Sequence, residues 1–290
     1  MTSLTPAVLK DTALRAEILA ANDGPDAFRV WWLGQSGFLL KWQGHYLLFD
    51  PYLSDSLTEK YAATAKPHVR LGERVIAPDL LDMVHFATAS HLHTDHLDAA
   101  TLLPIARAST HLRLILPASL TDAATDRLGP DAPITFATLD DGTSTGCGPF
   151  HCTGIAAAHN SIERDALGQC RFLSFLVRFG PFTIWHSGDT LWHDALPAAL
   201  IAARPDVVFV PINGNDPSRG VAGNLNGTEA AALAKACGAR LAIPHHFGMF
   251  AFNTASPDEF TATCSRLNQP FLVLGGGQSF LFSQTGHSLS

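Results

Sequence analysis

The stretch Ser90-His91-Leu92-His93-Thr94-Asp95-His96-Leu97-Asp98 places three imidazoles and two carboxylates in positions 91–98, directly after an apolar segment. Any fold that carries it must bring a metal-seeking cluster to the end of a buried element, because imidazole and carboxylate are ligand types that suit Zn, Mn and Fe. If Met83 to Ala89 is a strand that runs out into a loop, side chains 91, 93 and 95 share one side of the extended backbone. His96 breaks that alternation and permits two adjacent ions, one on His91 and His93, the other on Asp95 and His96. A polar loop of merely solvated histidines is a poor account of four potential ligands within residues 91–96.

One run cannot complete a site, so the remaining ligands must come from distant segments. Three apolar runs end in suitable groups: Ile155 to Ala158 in His159, Phe182 to Trp185 in His186-Ser187-Gly188-Asp189-Thr190, and Leu241 to Pro244 in His245-His246. Each alone reads more readily as a packed histidine or a turn. Their shared position at strand ends is what unites them, since functional groups of α/β layers gather on loops at one sheet edge.

The ordered set HxHxDH, a later His, the Ser-Gly-Asp-Thr turn and a final Pro-x-His resembles the metallo-β-lactamase superfamily. Within it, Val30-Trp31-Trp32-Leu33-Gly34-Gln35-Ser36-Gly37, Trp185 to Asp189, Ile243 to His246 and Asn215 to Gly220 resemble the L-ascorbate-6-phosphate lactonase-like branch. The resemblance runs from about residue 29 to about residue 280. It implies an α/β fold, a four-layer αββα sandwich of two mixed sheets flanked by helices. It also implies two divalent metal ions, Zn or Mn, on His91, His93, Asp95, His96, His159, Asp189 and His246, with Asp189 as the bridge. Asp50 matches the superfamily's early aspartate, an organiser of the metal loop, although a turn residue before Pro51 is an equally good local reading. His186 reads as a group behind the ligands, and His245 occupies a position where the family usually has another residue, which leaves His246 as the ligand.

Composition fits a soluble enzyme: 290 residues, 47% hydrophobic and 16% charged. The ligands are spread from His91 to His246, so a single domain over 1–290 is expected, with an N-terminal helix over about 6–21 as an extension, started by Thr5 and Pro6. The net charge of −7 argues against a nucleic-acid partner, which needs clustered Lys and Arg. Five cysteines without C-x-x-C pairing fit a reducing cytoplasm, and neither a secretion signal nor a membrane span is indicated. Strands are expected at 28–33, 37–42, 45–49, 83–89, 113–116, 134–137, 150–157, 171–178, 182–186, 207–211, 241–243, 271–274 and 279–282. Helices are expected at 99–108, 119–128, 195–203, 228–237 and 257–267, with a connector at 77–81.

The chemistry expected of this ligand set is hydrolysis by a metal-bridging hydroxide, with Asp95 as the catalytic group that orients it. Arg219, Asn213 and Asn215 lie on a turn after the 207–211 strand and are candidates to bind a small-molecule substrate. Arg219 would take a phosphate or carboxylate. The long polar connection from Tyr52 to Arg74 is a second candidate wall. His68 has no converging partner visible in sequence. The leading function is a lactonase on a phosphorylated or acidic sugar lactone. The alternatives are a phosphodiesterase of the same fold, N-acyl-phosphatidylethanolamine phospholipase D-like or nuclease-like, and a non-catalytic metal sensor. Homo-oligomer formation is left open by the sequence.

Overall fold

The computed structural model describes residues 3–22 and 24–289. Six strands come first: β1 (Ala27–Gly34), β2 (Gly37–Trp42), β3 (His45–Phe49), β4 (Phe86–Thr88), β5 (Leu112–Pro117) and β6 (Ile134–Leu139). Then come β7 (Ser144–Cys147), β8 (Phe150–Ala156), β9 (Leu173–Phe179), β10 (Phe182–His186), β11 (Val207–Pro211) and β12 (Leu241–His245), followed by β13 (Ser279–Ser283) and β14 (Gly286–Leu289). They form an eight-stranded sheet in the order β14-β13-β1-β2-β3-β4-β5-β6 and a six-stranded sheet in the order β12-β11-β10-β9-β8-β7. Each sheet is mixed. β13, β1, β2 and β3 pair antiparallel and β3 to β6 parallel, while β7 to β10 pair antiparallel and β10 to β12 parallel.

The helices are α1 (Asp11–Ala20), α2 (Ser56–Tyr61), α3 (Ala99–Ala108), α4 (Thr121–Leu128), α5 (Leu196–Ala203), α6 (Gly227–Ala236) and α7 (Asp258–Leu267). Strand periodicity explains why the first sheet is apolar on both faces. Phe28, Val30, Trp32, Phe38, Leu40, Leu47 and Phe49 enter the core shared with Phe175, Phe179, Phe182 and Phe209 of the second sheet. Their neighbours Trp31, Leu33, Leu39 and Leu48 face the opposite way and pack with Leu14 and Ile18 of α1 and Leu102 and Ile105 of α3. Helices α5, α6 and α7 supply Leu196, Leu233 and Phe260 to the core of the second sheet. Four layers result, α1/α3/α4, sheet, sheet, α5/α6/α7, which is the metallo-β-lactamase fold. Phe28 sits at the seam with ring centroids 4.9 Å from Phe182 and 5.2 Å from Phe179 and Phe282. Each such buried ring contributes about 1.5–3 kcal/mol by burial.

The differences from the sequence expectations have physical causes. The first helix starts at Asp11, not near Pro6, because the preceding backbone is used elsewhere: Thr5 N donates to Leu71 O (2.7 Å) and Glu73 N to Thr5 O (3.0 Å). Tertiary pairing there overrides a local cap signal. The end of α1 is held by buried Lys41 of β2, whose Nζ donates to the carbonyls of Ile18 (3.0 Å), Leu19 (3.3 Å) and Ala21 (2.7 Å). Residues 271–274 form a single bridge, Ala242 with Phe271, and not a strand. β7 and β14 carry no strand signal in the sequence because Ser144–Cys147 and Gly286–Leu289 are short and lack alternation, and α2 lies in what reads as a polar loop. The 83–89 strand shortens to Phe86–Thr88. Among the described residues, no helix is long and apolar enough to cross a membrane.

Candidate metal centre

β4 runs through Ala89 and Ser90 into a coiled segment, where His96 N and Leu97 N both donate to His93 O (3.1 and 2.9 Å). Residues 91, 93 and 95 are therefore presented by turns and not by an extended strand, which corrects the alternation argument while leaving the same side chains in one place. Asp50, just after β3 and fully buried, holds this segment. Its carboxylate accepts from Thr88 Oγ1 (2.6 Å), Ser90 N (3.2 Å), Ser90 Oγ and His96 Nδ1 (2.7 Å). A proton held on His96 Nδ1 leaves Nε2 as the ligating nitrogen.

The second sheet supplies the rest from three strand exits. His159 follows β8, and its Nδ1 donates to Gly223 O (2.9 Å), which frees Nε2. Asp189 follows β10 on a turn made by Gly188, whose φ is +52° and where an added Cβ would lie 2.6 Å from Ser90 Cβ. Only glycine lets the two sheets' loops approach this closely. Thr190 Oγ1 accepts from Ala158 N (3.0 Å), tying the Asp189 turn to the His159 segment. His246 follows β12 with φ +60°.

These exits bring all seven expected ligands together. Three groups have donor atoms within 4.8 Å of one another: His91, His93 and His159; His91, His96 and Asp189; and Asp95, His96 and His246. Asp189 stands between them, with Oδ2 3.5 Å from His159 Nε2 and 3.4 Å from His246 Nε2, and Oδ1 3.4 Å from His96 Nε2. His91 Nε2, His96 Nε2 and Asp189 Oδ1 are buried without hydrogen-bond partners. Such atoms are costly in a folded interior unless something ligates them, so this donor set fits a metal ion.

The electrostatics agree. Burial works against charge on Asp95 and Asp189, yet the imidazoles beside them outweigh it, His96 and His246 for both, and hold both carboxyls well below the usual range. Burial likewise opposes a proton on His96 and His246. Asp189 and Asp95 outweigh it, raising His96 well above the ordinary imidazole value and His246 to about 9. Burial and neighbouring His96 and His93 push His91 well below it, so that ring keeps a free lone pair. Two buried carboxylates thus require positive charge, which either two imidazolium protons or a cation can supply.

His186 is fully buried and sits behind the ligands. Its Nε2 donates to Ser36 O (2.8 Å), its Nδ1 accepts from Gly188 N (3.1 Å), and its ring stacks on Phe49 and His245 with centroids 5.0 and 5.2 Å away. His245 contacts Ser36 Oγ and Ser187 Oγ (3.2 and 3.0 Å) and has no ligand role in these groups.

Above the cluster lies a cavity of about 480 Å³, whose floor includes His93, Asp95, His159, Asp189, His246 and Gln35. Its walls include Tyr61, His68, Phe172, Phe250 and Phe252, with Lys60, Arg127 and Arg171 as cations and Glu163 as an acid. The 52–74 connection thus forms part of the wall through α2 and His68. That histidine packs tilted against Tyr61 (4.5 Å between centroids) and edge-to-face with Phe250 (5.2 Å), a convergence that no spacing in the sequence announces.

Arg219, Asn213 and Asn215 do not line this cavity. Arg219 donates to Asn253 Oδ1 and Gly214 O (both 2.8 Å), and Asn213 Nδ2 donates to Asn253 Oδ1 (3.0 Å). They brace Asn253, which does line it, from behind, while Asn215 is exposed and lies against Gly223. The cations on the wall are Lys60, Arg127 and Arg171, of which only Lys60 belongs to the 52–74 connection expected from sequence to form a wall. Arg127 is partly committed, donating to the carbonyls of Leu92 and Leu97 (3.0 Å for the latter), and so buttresses the ligand segment.

The pattern of the family described as Beta-lactamase superfamily domain matches residues 45–247, a span that contains every one of these candidate ligands. The chain belongs to the metallo-β-lactamase superfamily. A "UPF0173 metal-dependent hydrolase" of Opitutus terrae is 29% identical to this superfamily member over 264 residues, covering 87% of this chain and 98% of the relative. Among solved structures, an isothiocyanate hydrolase from Delia radicum gut bacteria superposes with a TM-score of 0.70 at 16% identity, covering 88% of this chain and 99% of its own. Igni18, a metallo hydrolase from the archaeon Ignicoccus hospitalis, gives 0.65 at 17% identity, with 89% and 99% covered. At these identities the structures attest the fold.

Proposed function

We propose that this metal-dependent hydrolase of the metallo-β-lactamase superfamily holds two divalent cations, Zn or Mn, and opens a lactone or related ester that carries an anionic group. His91, His93 and His159 would hold one ion, Asp95, His96 and His246 the other, with Asp189 between them. The observation that carries this reading is the position of Asp189 within 3.4–3.5 Å of imidazoles from both triads, on the floor of a cavity with cationic walls. When bound, such cations lower the pKa of a water and polarise the oxygen of the bond under attack.

The chain's own residues do the rest. Asp95 is ionised, and a carboxylate on the cavity floor can take a hydrogen bond from the attacking water, orient it and pass its proton to the leaving oxygen. Arg171 and Lys60 supply exposed cations at the rim for an anionic substituent, in place of the Arg219 expected from sequence. Phe172, Phe250 and Phe252 give the body of the substrate an apolar wall and exclude water from it. A small molecule is the substrate that a cavity of about 480 Å³ accommodates.

The test is a turnover screen of the protein reconstituted in turn with Zn and with Mn against phosphorylated lactones, their neutral counterparts, phosphodiesters and isothiocyanates. The reading requires the highest kcat/KM on a phosphorylated or carboxylated lactone. Preferential turnover of phosphodiesters would replace it with the phosphodiesterase alternative, and metal uptake without any turnover would favour the sensor.

A further inference from the structure

The tip of the β1–β2 hairpin reaches into the ligand cluster through one side chain that the function above does not use. Gln35 is 4% exposed and adopts φ +47°. Its backbone carbonyl accepts from Trp32 Nε1 (3.0 Å) and from His246 N (3.2 Å), which pins the residue and the start of the His246 loop together. Its carboxamide Nε2 lies 2.9 Å from Asp95 Oδ2 and 3.1 Å from His246 Nε2. A nitrogen at that distance from an ionised carboxylate donates to it, and the reversed amide would set two oxygens face to face. Asp95 Oδ2 is also the oxygen that faces His96 Nε2 (3.8 Å) and His246 Nε2 (3.6 Å). One of its lone pairs takes the Gln35 hydrogen, and the other is directed by that bond toward the two imidazoles. Among the described residues, Gln35 makes no hydrogen bond to His91, His93 or His159.

We propose that Gln35 is a positioning residue for the Asp95, His96 and His246 triad alone: its carboxamide orients Asp95 while its carbonyl fixes His246, so that this triad's cation affinity depends on it and the other triad's does not. This rests on the reading that the two triads are separate cation sites. Because the carbonyl contacts belong to the backbone, a side-chain substitution separates the orienting role from a structural one.

The experiment is a cobalt(II) titration followed by visible absorption, with Gln35→Met, which keeps length but removes the donor, and Gln35→Asn, which keeps a donor one methylene short. A His93→Ala background reports the Asp95 triad, and a His246→Ala background reports the His91 triad. In the first, Gln35→Met is expected to weaken cobalt binding about 10- to 100-fold, the scale for partners that orient ligands, and Gln35→Asn by less; in the second, neither changes binding more than about twofold. Equal loss in both backgrounds, or none in the first, overturns the proposal. Should Gln35→Met fail to fold, Gln35→Asn decides by the same criterion. If the parent protein takes up a single cobalt ion, the two-cation reading falls. Gln35 is then judged on that ion, with about tenfold weaker binding in Gln35→Met sustaining its role and unchanged binding ending it.

Discussion

The ligand cluster and the cavity wall above it are built in opposite ways. Most of the cluster is buried: His91, His96, His159, Asp189 and His246 lie below the surface, Asp95 is half-buried and His93 is exposed, and its positions are set by strand exits and by partners such as Asp50, Gly223 and Gly188. The wall comes from α2, the 62–74 connection, residues 163–172 and the 250–253 loop, and its cations Lys60 and Arg171 are exposed. A buried polar cluster tolerates few alternatives because every unpaired group is costly, whereas an exposed rim can change residue without endangering the fold. On the proposed function, chemistry would be fixed by the first region and selectivity by the second.

That contrast is broken most directly at Asp189. Asp189→Ala removes the carboxylate shared by both triads, and turnover should fall by more than about 100-fold, beyond the loss for a residue that merely orients a ligand. Elemental analysis should show fewer ions per chain, and retention of full metal content would separate Asp189 from the cluster. Asp50→Ala comes next. It frees His96 Nδ1 and should cost about 10- to 100-fold in metal affinity without touching the rim, measured by competition with a chelator.

Acidity gives a subtler break. A histidine whose folded pKa is raised stabilises the fold fully below its unfolded value and loses that contribution as pH rises through the folded value. For His246 the window runs from about 6.5 to about 9. The chelated protein should thus lose thermal stability across that interval, while the metal-loaded protein, whose ligating ring nitrogens would carry no proton to lose, should not. Parallel melting curves with and without chelator check this, and identical pH profiles would count against it. The smallest effect belongs to the rim. Arg171→Ala should raise KM for an anionic substrate several-fold with kcat nearly unchanged, on the roughly 1 kcal/mol scale of an exposed charge contact. Arg219→Ala should act only through Asn253 and affect anionic and neutral substrates alike. A selective loss in Arg219→Ala would return the anion to that turn.

How much was legible in the sequence follows the same division. The seven candidate ligands follow apolar runs in the sequence, and together with the family resemblance that order marked the side chains the structure brings together, even though the 91–97 segment is turned and not extended. The layered fold was legible in the order of strand and helix runs and in the family resemblance, and the structure gives its physical basis: β1, β2 and β3 alternate between two apolar faces, Val30 and Trp32 against Trp31 and Leu33. The wall was not. Arg127 belongs to a helix whose guanidinium is used on the carbonyls of Leu92 and Leu97, Arg171 sits at the entry to β9, and His68 meets Phe250 only because the 62–74 connection folds back over the cavity. Arg219 looked like an anion receptor because its hydrogen-bond partner, Asn253, is 34 residues away and carries no local signal.

The chain enters the first sheet, leaves it for the whole of the second between Ser144 and His245, and returns to the first through β13 and β14. His91, His93, Asp95 and His96 hang from the first sheet, and His159, Asp189 and His246 from the second. An ion held as proposed, by His93 and His159 or by Asp95 and His246, would consequently be a reversible crosslink across the seam between two halves, closing loops that the backbone leaves long. At a free concentration one hundred times its Kd, one such ion adds about 2.7 kcal/mol to the folded state. On the proposed two-cation reading, withdrawing such an ion would loosen the two sheets along the edge that carries the cavity, and proteolysis at that edge should rise when a chelator is added.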